Sequence, residues 1–449
     1  MKVYRAIIPM LFLLLGLTSC DRFTDESALS TASAATLESM VATLSSELAV
    51  TTVPSATAEV IVAPTPLPPT DTPEPPAPEV LKIAFINGGN VWYVEEGGTP
   101  AQLTTSGDVE RVALSTDGQL VVFLTYDLSL DLYALRVVDT DTGTEAVLIT
   151  QPELDSLYPL DGAIHHVPHQ FEFIPDTHTV LLNTRRTYEG PGLVQNNDLW
   201  SIDAETSART LLFDPGLGGD FYISPSGTQM ALVQPTNIGF AQTDGSGRSP
   251  DHLIFPFVMT YSEYAYYPVP VWAPDESAVA VLIPPEDPFV DDTARVWRVP
   301  LSGAVVPLLD ITGFTFFHHS GRTPTIPPDL TKVAFMREIT PTTVDLVIAP
   351  LDGSPESIYD SGNLSWQGWN PDSMQFVYTD APLNLILGSL GLPSLGVGFG
   401  SRLEWVDADT FLYLDQLTST HRFGKVDLPG PPSEIAVISG PIFDYDFTK

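Results

Sequence analysis

The stretch NPDSMQFVYT, residues 370–379, joins a turn of Asn, Pro, Asp and Ser to a strongly apolar segment. Proline presets the φ angle of the first corner of such a turn, and the Asp side chain can hydrogen-bond nearby backbone amides. The apolar segment that follows has the length and composition of a buried β-strand. The stretch therefore predicts a hairpin connection that leads into a core strand.

The same unit recurs at a mean period of about 48 residues. The turns and the apolar strands that follow them are STDG (115–118) before QLVVFL, IPDT (174–177) before TVLLNT, SPSG (224–227) before QMALV, APDE (273–276) before AVAVLI, PPDL (327–330) before KVAFM, NPDS (370–373) before QFVYT, and a weaker VDAD (406–409) before TFLYL. A third strand follows in several units, as in NDLWSID (197–203) and ARVWRVP (294–300). Four strands in each unit are typical of the blades of a β-propeller, so the predicted fold is all-β.

These units resemble the WD-like repeats of the TolB and prolyl-oligopeptidase propellers, in which a Ser-Pro-Asp-Gly turn precedes an Ala-Phe strand. The resemblance covers residues 81–449 and implies a propeller domain over that range. It implies little about function, because many unrelated activities use this fold.

The two ends of the domain indicate how the ring closes. The segments IAFIN, NVWYV and AQLT, within residues 83–104, match the second, third and fourth strands of a blade that lacks its first strand. Residues 442–447, IFDYDF, form a lone alternating strand that can supply it. Pairing of the terminal strands then removes the exposed edges of an open ring. This arrangement predicts eight blades, with seven as the alternative because the last two units are short.

The N-terminal region predicts export and lipid anchoring. Lys2 and Arg5 precede a short apolar run, which is typical of a signal peptide at residues 1–19. LTSC, residues 17–20, resembles the lipobox of bacterial lipoproteins, and this resemblance implies that Cys20, the single cysteine, carries lipid. Residues 20–80 are rich in Ser, Thr, Ala and Pro and predict a largely disordered stalk, with a short helix possible at 34–50. The propeller would then lie on the extracytoplasmic side of the membrane.

The charge of the chain excludes some partners. Lys and Arg total 19 against 56 Asp and Glu, and the formal net charge is −37. Nucleic-acid binding needs clustered cations, so we expect no nucleic-acid partner. Adsorption of basic residues to anionic lipid is disfavoured for the same reason, which leaves the lipid anchor as the expected contact with a membrane.

No motif assigns a catalytic site. The sequence lacks a G-x-S-x-G nucleophile elbow, a phosphate-binding loop, a dinucleotide fingerprint and an H-E-x-x-H zinc pair. We therefore assign no catalytic residue and no cofactor.

The histidines leave one alternative open. His165, His166 and His169 form an HHxxH pattern, and His318 and His319 form a second pair. Some TolB-like propeller lyases that act on acidic sugars use His-bound manganese, so the resemblance keeps a metal ion at these clusters as an alternative. We interpret these histidine side chains as polar or stacking groups that line loops.

Three repeats carry His or aromatic clusters at a similar distance before the turn. The clusters are His165 to His169 before Asp176; Tyr264, Tyr266 and Tyr267 before Asp275; and Phe317, His318 and His319 before Asp329. We expect them on the connections into the innermost strands, around one mouth of the channel. Two long loops between second and third strands should share that face, one with Arg185 and Arg186 and one spanning the acidic residues 284–292.

These residues suggest a ligand face for a glycan or a peptide segment, although tyrosine and phenylalanine could instead pack the loops together. The predicted function is a cell-surface lipoprotein whose non-catalytic propeller binds a protein or glycan partner. The alternative is an extracytoplasmic polysaccharide lyase or hydrolase with its site at the channel mouth.

The lipidation prediction can be tested directly. Replacement of Cys20 by Ser removes the thiol that would carry the acyl chains, and we expect the variant to be released from membranes. Detergent phase partitioning and membrane fractionation of the full chain provide the measurement. Unchanged partitioning of the Cys20→Ser variant would contradict lipid anchoring.

Overall fold

A computed structural model describes residues 80–189, 193–262, 264–319, 323–380, 383–415, 420–428 and 430–449. The predicted signal peptide, Cys20, nearly all of the stalk and the helix at 34–50 lie outside these ranges and stay predictions. Within the described ranges, no helix has the length and apolar character needed to cross a membrane.

The described residues form antiparallel strands that are numbered here in chain order. The strands of the first half are β1 (Lys82–Asn87), β2 (Asn90–Glu95), β3 (Ala101–Gln102), β4 (Val109–Leu114), β5 (Leu120–Asp127), β6 (Leu132–Asp139), β7 (Glu145–Thr150), β8 (His165–Phe173), β9 (Thr179–Thr187), β10 (Leu193–Gln195), β11 (Leu199–Asp203), β12 (Arg209–Phe213), β13 (Asp220–Ile223), β14 (Gln229–Gln234), β15 (Asn237–Gln242) and β16 (Ser249–Ile254). The strands of the second half are β17 (Val271–Trp272), β18 (Ala278–Ile283), β19 (Ala294–Pro300), β20 (Val306–Ile311), β21 (Lys332–Thr340), β22 (Thr343–Pro350), β23 (Ser357–Gly362), β24 (Leu364–Trp369), β25 (Gln375–Asp380), β26 (Asn384–Ser389), β27 (Leu395–Phe399), β28 (Ser401–Trp405), β29 (Thr410–Asp415), β30 (Thr420–Asp427), β31 (Pro432–Ser439) and β32 (Ile442–Thr448).

The strands form eight sheets, which are the blades of a β-propeller. Blade 1 has the order β32-β1-β2-β3. Blades 2 to 8 follow in chain order as β4–β7, β8–β12, β13–β16, β17–β20, β21–β23, β24–β27 and β28–β31. First strands of neighbouring blades contact one another, as β32 does β4, β4 does β8 and β24 does β28, which places them around the central channel. The eight-blade prediction and the terminal closure are confirmed.

Two blades depart from four strands in the described residues. Blade 3 has five, because the long connection after β9 folds back as β10 before β11 begins. Blade 6 has three, and its innermost position is taken by the segment at 323–326, where the Thr325 carbonyl accepts a hydrogen bond from the Ala334 amide at 2.8 Å. Pro324, Pro327 and Pro328 have no N–H to donate, which explains why this segment does not extend into a regular strand.

Two short helices lie on the connections between blades. The α-helix α1 (Gln151–Leu157) follows β7, and a 3₁₀ helix (Phe316–His319) precedes blade 6. Thr150 and Glu153 form a capping box at the start of α1, which supplies acceptors to the free amides of its first turn.

The predicted hairpin connections form as the sequence indicates. The Gly118 amide donates to the Ser115 carbonyl at 2.8 Å, and equivalent bonds close the next five turns. In the weaker seventh turn, 406–409, the Asp409 amide donates instead to the Asp407 side chain at 3.0 Å. The fourth turn residue has a positive φ angle in most copies, including Glu276 at 54° and Ser373 at 66°, where glycine would be less strained. The hairpin is therefore held even where a non-glycine residue must adopt this conformation.

Antiparallel pairing divides the connections between two faces. The Pro-Asp-type turns join first and second strands, and they share a face with the links between third and fourth strands; we call this the turn face. The links between second and third strands and the connections between blades lie at the opposite ends of the strands, on what we call the loop face. The expected grouping of the long loops on one face follows from the observed pairing.

The core lies between neighbouring blades. Second strands are covered on both sides, and every residue of β18 is buried. Burial on both faces explains why these segments are continuous apolar runs rather than alternating ones. The eight apolar clusters of the domain repeat this packing around the ring.

Strand β32 binds three blades at once. It pairs with β1 in blade 1, with Phe85 opposite Tyr445. The Asp444 carboxylate accepts a hydrogen bond from the Val112 amide of blade 2 at 3.1 Å and one from the Arg402 guanidinium of blade 8 at 2.5 Å. The last strand of the chain thus joins blade 1 to both of its neighbours.

Truncation of the full chain after Pro441 should destabilise the whole domain, because it removes β32 and exposes the edges of β1 and β4. Thermal unfolding is the measurement, and we expect a lower melting temperature. An unchanged melting temperature would show that the ring closes in another way.

A point variant tests the same closure without removing a strand. Asp444→Ala should lower the free energy of unfolding by ~1–3 kcal/mol, because the Val112 amide and Arg402 lose their acceptor. Asp444→Asn keeps one acceptor oxygen and should lose less. Asp141→Ala, in an exposed turn after β6, is the matched control. Equal unfolding midpoints for Asp444→Ala and Asp141→Ala in chemical denaturation would contradict the closing role.

Candidate functional site

The HHxxH cluster lies on strand β8 itself and not on the connection before it, so its expected position on a loop is wrong. His166 is fully buried and both ring nitrogens are engaged. Its Nε2 is 3.2 Å from the Pro159 carbonyl and its Nδ1 is 2.9 Å from the Asn196 side-chain amide, which fits a neutral ring protonated at Nε2. His166 therefore holds two loops together.

His165 is held by acidic side chains of neighbouring segments. Its Nδ1 lies 3.1 Å from an Asp155 oxygen of α1, and its Nε2 lies 3.4 Å from Asp131 in the loop after β5. The structure thus brings His165 into contact with the loop face of blade 2.

The three histidines do not converge on one point. His165 and His166 are adjacent on a strand and point to opposite sides of it. A bulge between Pro168 and Phe171 separates His169, whose Nε2 lies 4.0 Å from Asp220 of blade 4. Within the described ranges, no group of three or more His, Cys, Asp or Glu side chains is arranged to hold a metal ion.

Arg185 and Arg186 lie within strand β9, near its loop-face end, so their expected position in the loop after this strand is wrong. The environments of the two side chains differ. Arg186 Nε donates to the Asn196 side-chain oxygen at 2.9 Å. The Arg185 side chain lines a cleft of about 400 Å³ between blades 2 and 3. We call it the blade 2–3 cleft, and the residues that line it are Glu110, Arg111, Leu124, Pro168, His169 and Arg185.

The predicted tyrosines on the connection before β17 have three different roles. Tyr266 packs edge-on against Phe316, with ring centroids 5.4 Å apart. Tyr267 donates from its hydroxyl to the Asn197 side chain at 3.1 Å, and burial raises the pKa of its phenol well above the usual range. Tyr264 is 48% exposed. Tyr264 is therefore the one of the three that presents a free aromatic surface to solvent.

The other aromatic and imidazole cluster precedes blade 6. Phe317, His318 and His319 lie in the 3₁₀ helix on the loop face. His318 is exposed, and the side chains of Phe317 and His319 lie outside the described residues. The structure thus separates the predicted site residues into a His and Arg group on blade 3 and a second group, of Tyr, Phe and His, on the connections before blades 5 and 6.

Sequence reasoning missed most of the exposed apolar surface on blade 5. We call this surface the blade 5 patch, and it consists of Phe257, Met259, Tyr261, Tyr264, Phe289 and Val290, all of them exposed. Tyr261 is 71% exposed and Val290 83%. The sequence does contain a signal for this patch, because Phe289 and Val290 interrupt the acidic segment at 284–292. The acidic residues on both sides of them predict only a charged loop.

The two loops that form the patch are fastened together. The Tyr261 ring packs edge-on against Phe289 at 5.1 Å, and its hydroxyl donates to Asp287 at 2.6 Å. The Met259 amide donates to the Glu286 carbonyl at 2.8 Å. The aromatic side chains are thus held in place in the absence of a ligand.

Carboxyl groups of Glu404 and Asp446 lie near one another at the central channel. A cavity of about 680 Å³ is lined by first-strand residues of several blades, including Val271, Trp369 and Glu404. Burial raises the pKa of Glu404 to about 8, with Asp446 adding to the rise and Arg402 opposing it. Burial also raises the pKa of Asp446 to about 6. These carboxyls therefore take up protons near neutral pH.

The channel carboxyls should make the stability of the domain depend on pH. A carboxyl whose pKa rises on folding binds more protons in the folded state, so the free energy of unfolding should fall as pH rises from about 5 to about 8. Glu404→Gln should flatten this dependence and raise the melting temperature at pH 8 by ~2 °C or more. Glu338→Gln, at an exposed position, is the control in thermal unfolding. A variant that keeps the wild-type pH dependence would contradict the role of Glu404.

Comparisons with known proteins give structural likenesses of low identity. No protein-family model matches the chain, and no curated protein matches it in sequence. TolB from Acinetobacter baumannii is 14% identical with a TM-score of 0.31, and the match spans 62% of each chain. A eukaryotic initiation factor is 13% identical with a TM-score of 0.47, over 83% of this chain and 98% of its own. An oligogalacturonate lyase in complex with manganese is 12% identical with a TM-score of 0.42, over 78% and 83%. These likenesses assign no function, and the propeller architecture rests on the sheet topology described above.

Proposed function

We propose that this chain is a lipid-anchored, non-catalytic binding protein whose propeller holds a protein or glycan ligand against the blade 5 patch. The observation that carries the proposal is the exposure of Tyr261, Tyr264 and Phe289 on loop-face connections, with the Tyr261 ring packed against Phe289. Contiguous apolar surface that is rimmed by polar groups is typical of binding sites, because leaving it in water is unfavourable.

The fixed positions of aromatic side chains in the blade 5 patch support ligand binding rather than catalysis. Tyrosine has few rotatable bonds, and Tyr261 is fixed at both its ring and its hydroxyl. Little conformational entropy is lost when such a side chain meets a ligand. Flat aromatic faces suit the apolar face of a sugar ring or the side chains of a protein partner.

The rim of the patch selects against anionic ligands. Glu286, Asp291 and Asp292 are exposed around the aromatic side chains, and the whole chain carries a formal charge of −37. Carboxylates can accept hydrogen bonds from sugar hydroxyls or pair with cationic side chains. A neutral glycan or a basic protein segment is therefore the ligand class that this surface suits.

The location in our proposal rests on the N-terminal sequence. The lipobox-like LTSC ending at Cys20 and the Pro-rich segment before the propeller suit a domain that is held away from a membrane. The enzymatic alternative, a polysaccharide lyase or hydrolase, stays a prediction and gains no support from the geometry of the HHxxH cluster.

A paired set of variants tests the proposed binding surface. A Tyr264→Ala/Phe289→Ala double variant removes two exposed aromatic side chains from the loop face. Met374→Ala/Leu392→Ala removes two exposed apolar side chains, 68% and 51% exposed, from connections on the turn face. The labelled full chain and both variants are applied to an array of neutral and acidic glycans and to a basic peptide library.

We expect retention of neutral glycans or basic peptides by the wild type. We also expect an affinity loss of about tenfold or more in the loop-face variant, since aromatic anchors carry much of the binding energy. The turn-face variant should bind as the wild type does. Loss of binding in the turn-face variant alone, or equal binding by all three proteins, would contradict the assignment.

A further inference from the structure

Almost all of the lysine and arginine side chains that the structure describes are bound within this acidic protein. Arginine and lysine side chains pair with carboxylates in Arg136–Glu145, Arg209–Glu153, Arg295–Asp310, Lys332–Asp329, Arg337–Glu356, Arg402–Asp444, Lys425–Glu96 and Lys449–Asp407. Others donate to uncharged oxygens, as Lys82, Arg111, Arg186, Arg248 and Arg298 do. Among the lysines and arginines whose side chains the structure describes, Arg185 alone has neither a hydrogen bond nor an ion pair.

Arg185 occupies a defined cleft rather than open surface. Its side chain is half-buried at the loop-face end of β9, and its Nε atom is buried with no acceptor. The blade 2–3 cleft extends from it over Leu124 and Pro168 to His169. A second guanidinium, that of Arg111, lies in the same cleft, stacked over the Phe171 ring at 4.9 Å.

An unpaired buried N–H of a charged group is costly, because water is removed from it and nothing replaces the lost hydrogen bond. A ligand carboxylate beside the guanidinium offsets part of this cost through its opposite charge. The two terminal nitrogens of Arg185, which are not among the buried unpaired atoms, present two N–H groups side by side that match the two oxygens of a carboxylate.

We propose that the blade 2–3 cleft is a receptor site for a carboxylate group of a ligand, with Arg185 as the residue that binds it. Arg111 adds positive charge on one side, and Leu124 and Pro168 provide an apolar wall for the part of the ligand next to the carboxylate. This site lies apart from the blade 5 patch and does not depend on the function proposed for that patch.

The charge of the cleft favours a single negative charge on the ligand. Glu110 lies in the cleft, where burial raises the pKa of its carboxyl and Arg185 opposes the rise. A doubly charged phosphate would be repelled by Glu110 and by the strongly negative chain more than a carboxylate would. The carboxylate could belong to a peptide terminus or to an acidic sugar, since both present the same group.

The test uses the full chain in detergent and follows the Nε–Hε NMR signal of Arg185, assigned by its absence in Arg185→Gln. Three compounds are titrated: N-acetylalanine for a peptide-type carboxylate, glucuronate for a sugar-type carboxylate, and N-acetylalanine amide as the neutral analogue. We expect a saturable shift with at least one carboxylate and none with the amide, and the responding compound identifies the source. No saturable shift with either carboxylate up to ~50 mM would overturn the proposal, as would an equal shift with the amide.

Calorimetric titration of variants with the responding carboxylate separates the effect of the charge at residue 185 from the effect of its donor geometry. Arg185→Lys keeps the charge but not the two parallel donors and should bind about tenfold more weakly. Arg185→Gln should abolish binding. Arg295→Gln, which removes an exposed arginine paired with Asp310, is the matched control and should bind as the wild type does. Wild-type affinity in Arg185→Gln, or equal loss in Arg295→Gln, would overturn the proposal. If Arg185→Gln fails to fold, Arg185→Lys also lacks the arginine Nε–Hε signal and assigns it, so the wild-type titration still decides the proposal.

Discussion

In the described residues, each regular first strand of the propeller has one backbone edge that is not paired with another strand. The need to satisfy the N–H and C=O groups of that edge is the constraint on which much of the structure depends. Side chains from the neighbouring blade do this. Asp444 accepts from the Val112 amide, and the Gln170 side chain both accepts from the Phe221 amide and donates to its carbonyl. Trp272 and Trp369 donate their indole N–H groups to carbonyls of adjacent blades. The ring is thus held by polar bonds at its centre as well as by apolar packing between blades.

This arrangement has an electrostatic consequence at the channel. The carboxylates that satisfy the free edge of β4 belong to the closing strand β32, and they lie close to Glu404 of blade 8. Enclosed carboxyls near one another raise each other's pKa values. The channel carboxyls therefore help to close the ring and bind protons near neutral pH. A ligand site that needs ionised carboxylates is disfavoured there.

The two faces of the propeller differ for a physical reason. The turn face repeats one compact hairpin, and its polar side chains join neighbouring blades, as His178 does between Asp117 and Glu205 at 2.9 and 2.6 Å. The loop face carries connections of different lengths, which are free to differ in chemistry. Two surfaces of opposite character result: an aromatic patch with a carboxylate rim on blade 5, and a cleft with two guanidinium groups between blades 2 and 3.

The sequence by itself determined the repeat and the closing strand, and it favoured eight blades over seven. The information for the repeat is local: Pro-Asp turns such as that at Asn370 set a hairpin, and a buried run such as QFVYT sets a strand. The closing strand was indicated by the incomplete blade at 83–104, which lacks the one strand that residues 442–447 can supply. Only the tertiary structure decided the roles of the candidate site residues. The ring nitrogens of His166 are bound by Pro159 and Asn196, and the Tyr267 hydroxyl is bound by Asn197, 70 residues away in the chain, whereas Arg185 has no hydrogen-bond partner. Residue type and spacing do not reveal this difference, because it arises from which loops reach each side chain in the folded domain.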